Sequence, residues 1–255
     1  MTPPLLENAC RKKFIMTPVG GQPRSAEEPF FQDREVDKRE PCAMAMNGGH
    51  WLICADGRWP IPSVRKPLFE RADVVVACDG AYDQCLEHGI VAHVVLGDMD
   101  SVENTEETSG TLWVHKTSQE KSDLSKAFEY AQEHDAEMID VIGVEGGALG
   151  HKIAPLFALY DAPSNTTLHL DQGRVLCVRS SSTAIDSIEI GSCVSLFALG
   201  PADGVYLRGC QWSLNGETLQ PGTHGLNNKA TQSTIELTVE EGAVLLCIEP
   251  IKVDP

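Results

Sequence analysis

Val94-Val95-Leu96 runs into Gly97-Asp98-Met99-Asp100-Ser101, an apolar run that stops at a glycine and then presents two carboxylates one residue apart. A short, β-branched-rich run bounded by Gly and Asp reads as a buried strand running into a loop. Asp73-Val74-Val75-Val76-Ala77-Cys78 repeats the pattern and ends in Asp79-Gly80. Between the two, Ala81 to His88 reads as a helix stopped by Gly89. Strand, helix, strand in that order predicts a parallel sheet with right-handed crossovers. Ligands bind just beyond the carboxyl ends of such strands, where Asp98 and Asp100 would sit. Two carboxylates this close repel unless a cation or a proton is shared between them, so the pair reads either as a Mg²⁺ site handling phosphates or as a solvated acidic turn.

The flanking sequence extends the alternation. Ala43 to Met46 is a first strand candidate, ending in Asn47-Gly48-Gly49, where glycines permit close approach of backbone to a ligand. Ser63 to Arg71 reads as a short helix disturbed by Pro67, and Thr111 to His115 as a strand. Ser122-Asp123 opens a helix through His134 with Leu124, Ala127, Phe128 and Ala131 on one face, and either residue could cap it. Glu137 to Ile142 is a further strand. It leads into Gly143-Val144-Glu145-Gly146-Gly147-Ala148-Leu149-Gly150-His151, a glycine-rich loop before a helix over Lys152 to Tyr160. Phosphates are often cradled in such a place, although no G-x-x-x-x-G-K-[ST] pattern is present.

Beyond residue 163 helical periods vanish. Thr166–Leu170, Arg174–Val178, Cys193–Ala198, Val205–Arg208, Ser233–Val239 and Val244–Ile248 read as short strands divided by turns, the texture of an antiparallel sandwich or small barrel. The fold class expected is therefore α/β, a mostly parallel sheet forming a nucleotide-binding domain over 42–163, followed by an all-β sandwich over 164–255. Residues 1–41, with six prolines and dense charge from Glu27 to Glu40, read as a flexible extension, and Met16 and Met44 are alternative starts.

Twenty basic against 37 acidic side chains give a net charge of -17, which argues against a nucleic-acid or anionic-membrane surface. An anionic substrate would need a few placed Lys or Arg, or a divalent cation. The nine cysteines contain no C-x-x-C pair, and several lie in apolar runs. Neither a zinc site nor a disulfide framework is expected, and a reducing cytoplasm fits best. No apolar run approaches a membrane span and Met1 to Cys10 has no signal-peptide core, so Asn165-Thr166-Thr167 reads as a chance sequon.

The order of these motifs resembles the thiamine pyrophosphokinase (thiamin diphosphokinase) family. Asn47-Gly48 is followed by Asp79-Gly80-Ala81, then Gly97-Asp98-Met99-Asp100-Ser101, then Gln119-Glu120-Lys121-Ser122-Asp123 opening a helix, and then the glycine loop ending in His151. The likeness continues through Cys193-Val194-Ser195-Leu196, Gly209-Cys210-Gln211-Trp212-Ser213-Leu214 and Leu226-Asn227-Asn228, covering roughly residues 42 to 250. It implies transfer of pyrophosphate from ATP to the hydroxyl of thiamine with release of AMP, Mg²⁺ as cofactor, and a homodimer with active sites at the subunit interface. By this likeness Asp98, Asp100 and Asp123 are the metal carboxylates. Asn47, Gly48, Asp79, Gly80, Gln119, Ser122, Gly146, Gly147 and His151 serve the nucleotide, and Trp212 and Asn228 lie near the thiamine rings.

Each of these has a plainer role as well: Asp123 as a helix-start acid, His151 as a structural hydrogen bonder, Trp212 as core and Asn228 as a turn residue. The family loop typically reads G-G-R-x-D-H. Here Ala148 stands at the Arg position, Gly150 at the Asp position and Pro155 where that helix usually carries Asn. The alternatives kept open are a pyrophosphokinase acting on another hydroxymethyl heterocycle and a non-catalytic nucleotide- or thiamine-binding protein.

Overall fold

The computed structural model describes residues 46–99 and 110–251. Asp100, Ser101, the expected extension and most of the expected strand Ala43–Met46 lie outside the described residues. The described chain begins the α/β pattern with β1 (His50–Cys54), α1 (Pro62–Arg71), β2 (Val74–Cys78), α2 (Ala81–Glu87) and β3 (Val94–Gly97). It continues through β4 (Leu112–His115), α3 (Asp123–Glu133), β5 (Met138–Ile142), α4 (Leu149–Ala158) and β6 (Thr166–Leu170). These six strands pair in parallel in the order β6-β5-β1-β2-β3-β4.

All five residues of β2 and all four of β3 are buried, because helices cover both faces of the parallel sheet. On one face α1 and α2 bury Phe69, Tyr82 and Cys85 against Leu52, Val75, Ala77 and Val95. On the other, α3 lays Leu124, Ala127, Phe128 and Ala131 against Ile53, Val76, Leu96 and Ile139, the stripe its sequence period predicts. Ser122 caps α3, its Oγ accepting from the Ser125 amide at 3.2 Å.

Two expectations shift. A strand not foreseen, β1, follows the Asn47-Gly48-Gly49 turn, so among the described residues this turn stands at the amino end of a strand. Helix α4 starts at Leu149, three residues earlier than expected, and takes the end of the glycine loop into its first turn.

The remaining strands are β7 (Gly173–Arg179), β8 (Ser182–Ser187), β9 (Cys193–Ala198), β10 (Ala202–Arg208), β11 (Leu214–Leu219), β12 (Gly225–Lys229), β13 (Thr234–Glu241) and β14 (Ala243–Glu249). An antiparallel four-stranded sheet, β11-β10-β13-β8, covers one layer of this region. Its partner layer is not a separate sheet. β6 pairs in parallel with β5 on one side and antiparallel with β7 on the other, so the order β12-β9-β14-β7-β6-β5-β1-β2-β3-β4 is continuous. The large sheet is therefore mixed. Val194, Leu196, Val244 and Leu246 on it meet Val205, Leu207, Ile235 and Leu237 across the sandwich core.

A polar brace ties β1, β5 and β6 together. Buried Asp140 on β5 accepts from His50 Nε2 at 2.5 Å, His169 Nε2 at 2.6 Å and Arg71 Nε at 3.0 Å. Burial alone would raise this carboxyl, yet the bonds and charges of His169 and Arg71 outweigh it and hold the group down at about 2. No helix among the described residues is long and apolar enough to cross a membrane.

Candidate active site

The carboxyl ends of β1, β2 and β5 and the first turns of α3 and α4 surround a cavity of about 560 Å³. Each strand contributes through the first residues after it. β1 leads into Ala55-Asp56-Gly57-Arg58, and this segment is stitched to the loop after β5. The amides of Ala55, Gly57 and Arg58 donate to the carbonyls of Ile142, Gly143 and Glu145 at 2.9, 2.8 and 2.6 Å. Side chains are excluded from this seam. A Cβ on Gly57 would lie 2.4 Å from the Gly143 carbonyl oxygen, and one on Gly143, whose φ is +79°, would lie 2.0 Å from that of Ala55.

Asp79 follows β2 in the left-handed region at φ +33° and is only 4% exposed. The main chain of β3 fits closely against it, since a Cβ on Gly97 would fall 2.9 Å from Asp79 Cβ. Gly80 makes similar room for Asp56, whose carboxylate oxygens would lie 2.8 and 2.9 Å from an added Cβ. Gln84 Nε2 donates to Asp56 Oδ1 at 3.2 Å and fixes its direction. Asp98 accepts from Gln119 Nε2 at 2.6 Å. Asp123, at the start of α3, accepts at 2.8 Å from Nζ of the buried Lys126 one turn on.

The acids share one field, and Cys78 registers it. Burial first, then Asp123, Asp79, Cys85 and Asp56, push its thiol far above the ordinary cysteine range. The glycine loop closes the opposite wall, with Gly146 and Gly147 at φ +86° and +67°. His151 folds back over the loop, its Nδ1 3.6 Å from where a Cβ on Gly147 would be.

The structure thus brings Asp79, Gly80, Ser122, Asp123, Gly146, Gly147 and His151 to one cavity, with Asp98 and Gln119 joined at the end of β3. It does not bring Asn47 and Gly48 there. They precede β1, and the Gly48 amide donates to the His134 carbonyl at the far end of α3. Trp212 and Asn228 are also outside the cavity lining. Asn228 clasps the Trp212 backbone, accepting from its amide at 3.1 Å and donating to its carbonyl at 2.7 Å, while the indole is 60% exposed.

Asp56 and Arg58 are the wall residues the sequence reading missed. For Asp56 the signal was present, since Cys54-Ala55-Asp56-Gly57 nearly repeats Cys78-Asp79-Gly80 at a strand end. Among the described residues no three His, Cys, Asp or Glu side chains cluster as a ready-made metal cage. The donor set is nevertheless all oxygen, which suits Mg²⁺, an ion that usually takes one or two carboxylates and leaves its other positions to water and phosphates.

A sheet whose parallel strands deliver acids and a glycine loop to one cavity defines a class of phosphate-handling α/β proteins. Residues 65–170 match the family model described as "Thiamin pyrophosphokinase, catalytic domain". That stretch is thus similar to the catalytic domain of the family its motifs resemble. No curated protein sequence matches it.

Among solved structures, thiamine pyrophosphokinase from Bacillus subtilis is 18% identical with a TM-score of 0.67, over 80% of this chain and 100% of that one. A thiamin pyrophosphokinase family protein from Enterococcus faecalis is 19% identical, with the same TM-score and coverage. Thiamin pyrophosphokinase from Candida albicans is 13% identical with a TM-score of 0.62, over 81% and 94% of the two chains. These likenesses are of fold.

Proposed function

We propose that the protein is a Mg²⁺-dependent thiamine pyrophosphokinase. The hydroxyl oxygen of thiamine attacks the β-phosphorus of ATP, a new P–O bond forms, the bond to the α-phosphate oxygen breaks, and AMP leaves while the hydroxyl proton is lost. The observation that carries this reading is the convergence of Asp56, Asp79 and Asp123 with the glycine loop around one cavity at the carboxyl edge of the parallel strands. Pyrophosphoryl transfer is mostly positioning plus neutralisation of phosphate charge. Asp98 and Asp123 are proposed to hold the metal, with Asp79 beside them and Asp100 as the third family acid. Bound there, Mg²⁺ would supply charge neutralisation on the transferring phosphates. Gly146 and Gly147 offer backbone to the phosphates, and His151 stands over them.

In this reading ATP and metal belong to the α/β region of residues 42–163 and thiamine to the β region of 164–255. The exposed Trp212 indole would stack on a thiamine bound against a second copy of the chain. Helix α4 supports a homodimer, because it leaves the cavity rim with Leu149, Ile153 and Phe157 exposed along its length and Tyr160 exposed just beyond its end. Mixing protein, ATP, Mg²⁺ and thiamine should yield AMP and thiamine diphosphate in equal amounts. Product no greater than in an enzyme-free control would overturn the assignment.

A further inference from the structure

The cavity is acidic for a site that is to hold a polyphosphate. Among the described residues that line it, Asp56, Asp79, Asp123 and Glu145 are acids, and Arg58 carries the one guanidinium or ammonium group. Lys126 answers Asp123 from behind but does not reach the lining. Metal can offset part of this charge, yet the wall formed by the glycine loop offers glycines, Ala148 and a histidine, and no strong cation of its own.

Arg58 is held at that wall by its backbone. Its amide bond to Glu145 forms an isolated antiparallel bridge, and a Cβ at Gly146 would lie 3.5 Å from Arg58 Cβ. Its guanidinium is 55% exposed and splits between two acids, Nη2 pairing with Glu145 Oε1 at 3.0 Å and Nη1 with Asp171. Asp171 is itself tied in place, accepting from the Ile61 amide at 2.7 Å and donating its own amide to Glu145 Oε2 at 3.1 Å. A carboxylate pair thus parks a planar, five-donor cation beside the glycine loop. An ion pair this exposed contributes little to stability, so exchanging one carboxylate for phosphate oxygens costs little.

We propose that Arg58 is the nucleotide's phosphate-gripping residue, trading Asp171 for phosphate oxygens when ATP enters. This rests on the nucleotide reading of the same cavity. Because guanidinium recognition of phosphate is bidentate, Lys should replace it only in part.

The test compares Arg58→Ala, Arg58→Lys and Asp171→Asn with the native chain, measuring MgATP binding by calorimetry, KM for ATP and for thiamine, and the melting temperature. Arg58→Ala should weaken MgATP binding and raise KM for ATP about 10- to 100-fold, leaving KM for thiamine within about twofold, and Arg58→Lys should fall between. Asp171→Asn breaks the same ion pair but frees the guanidinium, so KM for ATP should hold or fall. Equal loss in Arg58→Ala and Asp171→Asn would mean that the pair acts only as a brace, and would overturn the proposal. So would a folded Arg58→Ala protein that binds MgATP as the native one does. A native protein that binds no MgATP would overturn the nucleotide reading and this proposal together.

Discussion

Gly143 shows how narrow the tolerance is at the head of the cavity. Its φ of +79° disfavours any side chain, and the Ala55 carbonyl oxygen stands 2.0 Å from the place a Cβ would take. Gly143→Ala should therefore cost on the order of 2–4 kcal/mol, read as a lower urea midpoint with an unchanged slope. A midpoint within error of the native one would show that the seam between residues 55–58 and 143–145 yields easily. At this scale the sequence disclosed residue types better than residue positions. Asp79, Asp98 and Asp123 were legible because an acid directly after an apolar run, or at a helix start, has few places to go. Asn47 and Gly48 were assigned to the cavity because a glycine pair punctuates a strand at either end, and nothing local says which. Arg58 was invisible because its neighbours Glu145 and Asp171 are brought to it by the sheet.

Among the elements, β1, β5 and β6 are tied together by the Asp140 brace, and its titration sets a direction. The carboxyl lies at about 2 in the folded chain, below the roughly 3.9 of an unfolded aspartate. A depressed folded value means stability that is present above the unfolded pKa and is lost as pH falls through 4 towards 2. The stability advantage of the native chain over Asp140→Asn should hold from pH 7 to 5 and shrink by about 2 kcal/mol by pH 2, followed by urea unfolding. An advantage that stays constant over that range would mean that Asp140 is not ionised in the fold. The elements most readable from sequence were those buried on two faces, such as β2 and β3, or amphipathic with a capped start, such as α3. Of the four described strands that were missed, β1 is buried at the centre of the large sheet, whereas β8, β11 and β12 lie at sheet edges and are polar and largely exposed. Edge strands carry charge and polarity that mask the alternation a strand otherwise shows. Trp212 and Asn228 were named from resemblance, and the turn expected at Asn227-Asn228 is part of β12.

For the whole molecule, the exposed row on α4 leads to a prediction about assembly. The native chain should sediment at twice the 27.7 kDa of one copy, and Phe157→Glu should shift it towards monomer and lower activity by about tenfold or more. A native chain that stays monomeric at tens of micromolar, near the strength of weak interfaces, would remove the second copy from the site. The change of texture near residue 163 was plain in the sequence, but what it meant for the sheet was not. Strand direction depends on which neighbours a strand finds, and Thr166–Leu170 looks the same whether it closes a parallel array or opens an antiparallel one. β6 does both. The molecule is therefore built like a single plank with no joint at the change of grain. Its two regions cannot swing apart like jaws without tearing the hydrogen bonds on one side of β6, so traffic through the cavity is left to the loops that ring it.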